Sequence, residues 1–306
     1  SSTVVTIHGK NVFLEKLRFA YNDENEPKLG SGQIDFQHLD IKGISGSFSD
    51  IVIVNDSVEA SIHRLKLEEQ SGFLIRHFSA DASVSSNRII CENLELKTNT
   101  GFVQGFYKMT SNGWGNYRDF LDFVELDAKL TESDIRFDDI AFFTPQLRGL
   151  LTPMIFTGDV HGTISDLRAE VELLEFAEGG RLTGRVKVKG LPEVSNTLID
   201  ADIRQFHASI KDIGYVNIPM GDEYKPLELP PQLNALEYVE FTGNFMGFVN
   251  DFVTFGNIKT ALGYIDADIN LKTLETFQYS GKVATTGFKL GKLLESENTI
   301  GDIAFK

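Results

Sequence analysis

The sequence predicts an all-β chain, and three observations carry that prediction. Apolar and charged residues alternate with a period of two in segment after segment. Composition favours strands: 24 Phe and 8 Tyr stand against a single Trp and 8 Pro, with 27 Gly for turns and close backbone approaches. Helical periodicity is weak and confined to two short stretches.

Taken in chain order, the first clear strand is Val58, Ala60 and Ile62, which resumes as Leu65 and Leu67 after a one-residue slip at His63-Arg64. A β-bulge produces such a slip. Leu126, Ala128 and Leu130 alternate with Asp127 and Lys129. Val160 and Ile164 share a phase with Phe156, and Leu167, Ala169, Val171 and Leu173 alternate with Arg168, Glu170 and Glu172. Val186 and Val188 follow with Lys187 between them. Ile199, Ala201 and Ile203 then alternate with Asp200 and Asp202. Val239, Phe241, Phe245 and Val249 keep one phase, and so do Ile265, Ala267, Ile269 and Leu271 against Asp266, Asp268 and Asn270. Each segment has one dry face and one charged face. Strands of a central parallel sheet are apolar on both faces, so the pattern argues against an α/β fold. Short helices are expected at Asp138–Phe143, capped by Asp138, and at Phe288–Leu294. Loops are expected at Asn22–Gly32, Ser111–Asn116 and the Pro-rich Pro219–Gln232, the last a connector within the fold.

The pattern repeats. Asp127-Ala128-Lys129-Leu130, with Ser133 and Asp139-Ile140 after it, returns 73 residues later as Asp200-Ala201-Asp202-Ile203, with Ser209 and Asp212-Ile213 after it. Phe156-Thr157-Gly158-x-x-x-Gly162 returns 85 residues later as Phe241-Thr242-Gly243-x-x-x-Gly247. The organisation read from this is one continuous domain: a first part over 1–125, repeat units over 126–198 and 199–278, and the start of another at 279–306. Stacked units of this kind form an object that grows by adding strands.

A one-sided sheet must bury its apolar face in a sandwich, a barrel or a curled groove. Many inward positions are small, among them Gly158, Gly184, Gly243, Ala128, Ala201 and Ala267. They either leave room for something other than protein or mark bends and bulges.

Several function classes are set aside. Lys and Arg number 29 against 44 Asp and Glu, a net charge of −15, which argues against nucleic acid. The single Cys91 excludes an internal disulfide and is expected in the core. No apolar run is long enough for a transmembrane helix, and no signal peptide is visible. The chain starts Ser-Ser-Thr and stops in mid-pattern, which reads as a piece of something longer. His8, His38, His63, His77, His161 and His207 make no metal motif, and His161 and His207 fall at polar strand positions. The carboxylate pairs at 200 and 202 and at 266 and 268 share strand faces. Calcium or acid–base chemistry competes there with an ordinary wet face, which is the reading taken. Thr157-Gly158-x-x-x-Gly162 lacks the Gly-Lys-Ser/Thr of a phosphate loop. Trp114 reads as a packed loop anchor, with a partner or membrane contact as the alternative. No catalytic residue, cofactor or metal is assigned, and no enzyme is expected.

An ordered series of short motifs adds a resemblance. It runs through Gly32-Gln33-Ile34-Asp35-Phe36-Gln37-His38-Leu39 and Asp56-Ser57-Val58 with Leu65 and Leu67. It continues through Leu94-Glu95-Leu96-Lys97-Thr98-Asn99-Thr100, Ser133-x-Ile135-x-x-Asp138-Asp139-Ile140, and Phe156-Thr157-Gly158 with Gly190-Leu191-Pro192. Together these segments resemble the early part of the TamB family, within the AsmA-like group of diderm envelope proteins. The resemblance implies an elongated, twisted antiparallel β-groove with an apolar interior, in the periplasm. It implies phospholipid as cargo for inner-to-outer-membrane transport, and support of outer-membrane protein assembly. It further implies an inner-membrane anchor helix and a barrel partner of TamA or BamA type, both engaged through parts absent from this stretch. The competing readings are a β-rich scaffold with a filled core and a carbohydrate-binding β-solenoid.

Overall fold

The computed structural model describes residues 6–150, 153–220, 223–272, 278–296, 299 and 301–305. Strands take 64% of the chain and helices 11%, so the all-β prediction holds. The chain divides into two compact units, Ser1–Arg148 with Asp159–Ile164, and Gly149–Gly158 with Ser165–Lys306.

The first unit carries β1 (Thr6–Asn22), β2 (His38–Val54), β3 (Ser57–Glu69), β4 (Leu74–Ser85), β5 (Arg88–Lys97), β6 (Phe102–Thr110) and β7 (Glu125–Ile135). Two four-residue helices accompany them, α1 (Phe120–Phe123) and α2 (Phe137–Ile140). Then come β8 (Met154–Thr163), β9 (Asp166–Phe176), β10 (Gly180–Lys189), β11 (Leu198–Ser209) and α3 (Ile210–Gly214). A separate ribbon, β12 (Asn217–Met220) with β13 (Glu223–Pro226), lies in the Pro-rich connector, whose residues 221–222 fall outside the described set. The chain continues as β14 (Tyr238–Phe248), β15 (Asp251–Thr260), β16 (Gly263–Lys272), β17 (Gln278–Phe288), α4 (Leu290–Leu293) and β18 (Ile303–Phe305). Apart from the ribbon, the strands belong to one antiparallel sheet in chain order, not closed into a barrel.

The helices α2, α3 and α4 each hold a turn of the sheet. In α3, Ser209 accepts from the Asp212 N–H and the Asp212 carboxylate accepts from Ser209, a capping box. Asp212 also accepts from the Glu178 N–H at 3.1 Å, which ties α3 to the turn between β9 and β10. In α2, Asp139 accepts from the Gly101 N–H at 2.8 Å, the Thr100 N–H at 3.2 Å and the Thr98 hydroxyl, at the turn between β5 and β6. Asp139 and Asp212 are thus the same device at the 73-residue spacing of the repeat. In the third copy the turn between β15 and β16 is held by Thr260, and the Leu262 carbonyl accepts from the Lys289 N–H beside α4. The structural repeat is four strands and a helix that seals the turn between the second and third strand. Asp138, expected as the cap of its helix, lies inside the first turn, and Arg136 stands at the N-cap position instead. The helix α3 stands where the 73-residue echo puts one short helical turn in each unit, although its five residues are too few to show a helical period.

Bulges set the bend of the sheet. The slip expected at His63-Arg64 is present as a register shift between Ile62 and Leu65. Matching shifts fall between Cys91 and Leu94 in β5, and between Ile203 and Phe206 in β11. The partner strands carry glycine at the same level. A Cβ on Gly184 (φ +153°) would lie 2.3 Å from the Asp202 carbonyl oxygen, and one on Gly105 (φ +132°) 2.1 Å from that of Lys129. These glycines are required by close backbone approach, so the bend reading explains them and the spare-room reading does not.

Candidate functional site

The apolar face of the sheet is the feature that needs a purpose. In the first unit, strand registers place Ile53, Val58, Val84, Ile89, Met109 and Leu126 side by side across six strands. Ala60, Ala82, Cys91, Tyr107 and Ala128 form the next row, and Leu65 pairs with Phe78, Leu96 and Val103 beyond the bulges. In the second unit, Leu167, Val188, Ile199, Gly247, Phe252 and Leu271 form one row. Ala169, Val186, Ala201, Phe245, Thr254 and Ile269 form another. Val171, Gly184, Ile203, Gly243, Gly256 and Ala267 follow, and Leu174, Leu182, Phe206, Phe241, Ile258 and Ile265 close the set. No ionisable side chain other than the Cys91 thiol and the Tyr107 phenol interrupts these rows.

Most residues expected on this face are therefore brought together there, including Ile62, Leu67 and Leu130. Val239 joins through its pairing with Ala208. Val160 joins because its neighbour His161 bonds outward Asp127 at 3.1 Å. Ile164 and Val249 instead occupy the tight turns after β8 and β14. Leu173 sits at the β9 bulge, and Leu174 takes the place opposite Leu182. Sequence reading misses Phe48, Phe78, Leu94, Tyr107, Phe176 and Phe206, whose alternation is broken by bulges. Phe176 and Phe206 stack at 6.0 Å, and Phe245 lies 4.7 Å from Phe252.

The face is not sealed. Small residues such as Ala128, Ala201 and Ala267 are buried at 3–5% exposure, but their large neighbours are only half-buried. No helix exceeds six residues among the described residues, so none is long enough to cover the sheet.

The other candidates have ordinary surroundings. Asp202 pairs with Arg185, and Asp200 and Asp266 are exposed on the charged face. His207 stacks on Tyr238 and lies 3.7 Å from Glu240. Burial pushes the Cys91 thiol up in pKa, so it is a poor nucleophile. His38 is buried against Asp35 (2.8 Å) and the Asp23 carbonyl (2.9 Å). Burial alone would raise the Asp35 carboxyl, but hydrogen bonds from the Leu29 N–H, His38 and the Gln37 N–H hold it below the usual range. This pair pins the first loop. Trp114 opens a turn at Trp114–Asp119, and its side chain lies outside the described set. Among the described residues no group of three His, Cys, Asp or Glu is placed to hold a metal. On the charged side, Met246, Val253 and Phe255 are exposed, an apolar patch that alternation does not foretell. No family model, curated protein or solved structure matches this chain.

Proposed function

We propose that this chain shelters phospholipid acyl chains along the apolar face of its sheet, as a segment of a periplasmic protein that moves lipid from inner to outer membrane. The observation that carries the reading is the set of apolar rows, free of any side chain charged at neutral pH and left half-open to solvent. Moving an acyl chain out of water is worth about 0.8 kcal/mol per CH₂, so a two-chain lipid needs on the order of 20 kcal/mol of shelter. Within each unit the apolar rows offer this shelter without a dedicated pocket. An unpaired charge would raise a local barrier of several kcal/mol, and the rows carry none. Bulges bend the strands and favour a groove over a flat sheet. Membership of the TamB family, support of outer-membrane protein assembly and a barrel partner of TamA or BamA type belong to the same proposal and rest on the sequence resemblance.

The test is mass spectrometry of an organic extract of the purified chain. Phospholipid present in stoichiometric amount is the expected result. A lipid-free protein that binds no lipid when offered it would favour a scaffold with a filled core.

A further inference from the structure

The bulge at His63-Arg64 has an effect on the charged face, away from the apolar rows. By shifting the phase of β3, it places Arg64 and Lys66 together on the polar side, where a strand without the extra residue would carry Leu65. Arg64 stands opposite Ser47, which stands opposite Phe13 of β1. Lys66 stands opposite Ser45, and Arg76 and His77 follow on β4. These side chains, together with Gly46 and Leu65, line an open depression of about 310 Å³, and most of the surface turned towards it is carbon, with the charged ends of the long side chains free to swing in. That size is at the lower end of small-molecule sites, roughly 300–1,000 Å³.

The lining is unusual for a chain with a net charge of −15. It holds three permanent cations and no carboxylate. Arg64, Lys66 and Arg76 make no ion pair among the described residues. Of the acids on the same face, Glu95 faces His77 at 3.9 Å, Glu68 lies further along β3, and Glu15 follows Phe13 on β1. Arg76 is also oriented, because its Nε donates to the Thr98 and Asn99 carbonyls at 3.1 and 3.3 Å. Its terminal amino groups remain for a ligand. The hydroxyl of Ser45 is used locally, donating to the Gly43 carbonyl and accepting from the Lys16 N–H, whereas that of Ser47 is not.

We propose that this depression is a binding site for a phosphate group. Arginine forks match phosphate oxygens in a bidentate manner, lysine adds a point charge, and serine donates one neutral hydrogen bond. Phe13, 78% exposed at the rim, offers an apolar wall to whatever the phosphate is attached to. The group belongs to a lipid headgroup or to a soluble phosphate ester; the chemistry of the site is the same for both. The site stands on the charged face and does not depend on the acyl-chain proposal.

The experiment uses the whole chain and two probes. Inorganic phosphate is titrated by calorimetry and amide chemical shifts in a chloride buffer. Phosphatidylcholine vesicles, with and without phosphatidic acid, are tested by co-sedimentation. Expected are shifts confined to β1–β4 and an affinity that falls with salt. Arg64→Gln with Lys66→Gln should weaken binding about a hundredfold, roughly tenfold for each charge-assisted hydrogen bond removed. Lys282→Gln, on the charged face of β17, should leave it unchanged. Arg76→Lys, which keeps charge but loses the fork, should also weaken binding. Capture of phosphatidic acid vesicles in an Arg64-dependent way assigns a headgroup, and response to phosphate alone assigns a soluble ester. Response to neither probe, or variants that bind as well as the parent while keeping its circular dichroism, overturns the proposal.

Discussion

Replacing Asp212 with Ala tests the repeat most directly. The residue is 5% exposed, and its carboxylate accepts from the Ser209 N–H (3.0 Å), the Ser209 hydroxyl (2.7 Å) and the Glu178 N–H (3.1 Å). Hydrogen bonds to a charged group contribute about 1.5–3 kcal/mol each when their partners stay buried. Glu178 is exposed and regains water, while the Ser209 groups lie at a half-buried helix start, so the net loss is about 3 kcal/mol. Urea unfolding followed by circular dichroism reads this as a lower midpoint. The same residue fixes a pH dependence. Burial would raise its carboxyl, but the hydrogen bonds from Ser209, Glu178 and Gly179 outweigh burial and hold it below the ordinary range. A carboxyl that binds its proton less readily when folded adds stability above its unfolded pKa, about 3.9. That stability disappears as pH falls through the lower folded value. Asp212→Ala should therefore flatten the acid limb of the stability curve. A midpoint within about 0.5 kcal/mol of the parent, or an unchanged acid limb, refutes the capping argument.

Other perturbations separate the two faces of the sheet. Ala201→Asp places a charge between Val186 and Phe245, and should cut co-purified lipid at least about tenfold, since a cost of 1.4 kcal/mol already gives that factor; undiminished lipid on the folded variant argues against an apolar path. Asp200→Lys, on the opposite face of the same strand, should change stability by no more than about 0.5 kcal/mol; a large loss of lipid binding there would revive a carboxylate site. Gly184→Ala forces a Cβ against the Asp202 carbonyl oxygen at positive φ, and should cost about 2–4 kcal/mol in urea unfolding. Cys91 should react with a disulfide reagent only on unfolding, and fast labelling of the folded chain would contradict its burial.

What can be read from sequence follows from how local each signal is. Alternation in Leu167–Val171 and Ile199–Ile203 survives because each run lies on one side of its bulge, and in Ile265–Leu271 because β16 pairs on both sides without a register shift. The slip at His63-Arg64 is legible because apolar pairs flank it closely. The equivalent slip at Glu92-Asn93 is hidden by the neighbouring apolar run Ile89-Ile90-Cys91, and β9 misleads by offering Leu173 and Leu174 in succession. The long strands β1 and β2 go unread because Gly9, Gly43, Gly46 and a left-handed Lys16 scatter the period. The 73-residue echo marks Asp139 and Asp212, but only hydrogen bonds reveal that they seal turns. The meaning of the inward glycines lies in a neighbouring strand's carbonyl, which no single strand discloses. The cationic depression combines four strands, and only register assembles it.

The order of the strands has a consequence for how the chain reaches its native state. Every strand of the main sheet pairs with the strand just before or after it, and only the connector carrying β12 and β13 interrupts the succession. Such pairings close short loops at small entropic cost and keep partners near in sequence, which speeds folding. Each four-strand copy brings its own seal, so a copy can lock as soon as its helix is made. A chain emerging from a ribosome or a translocation pore can thus fold hairpin by hairpin. Unpaired apolar strand is then confined to the growing end, the place where a chaperone has the most to gain from holding it.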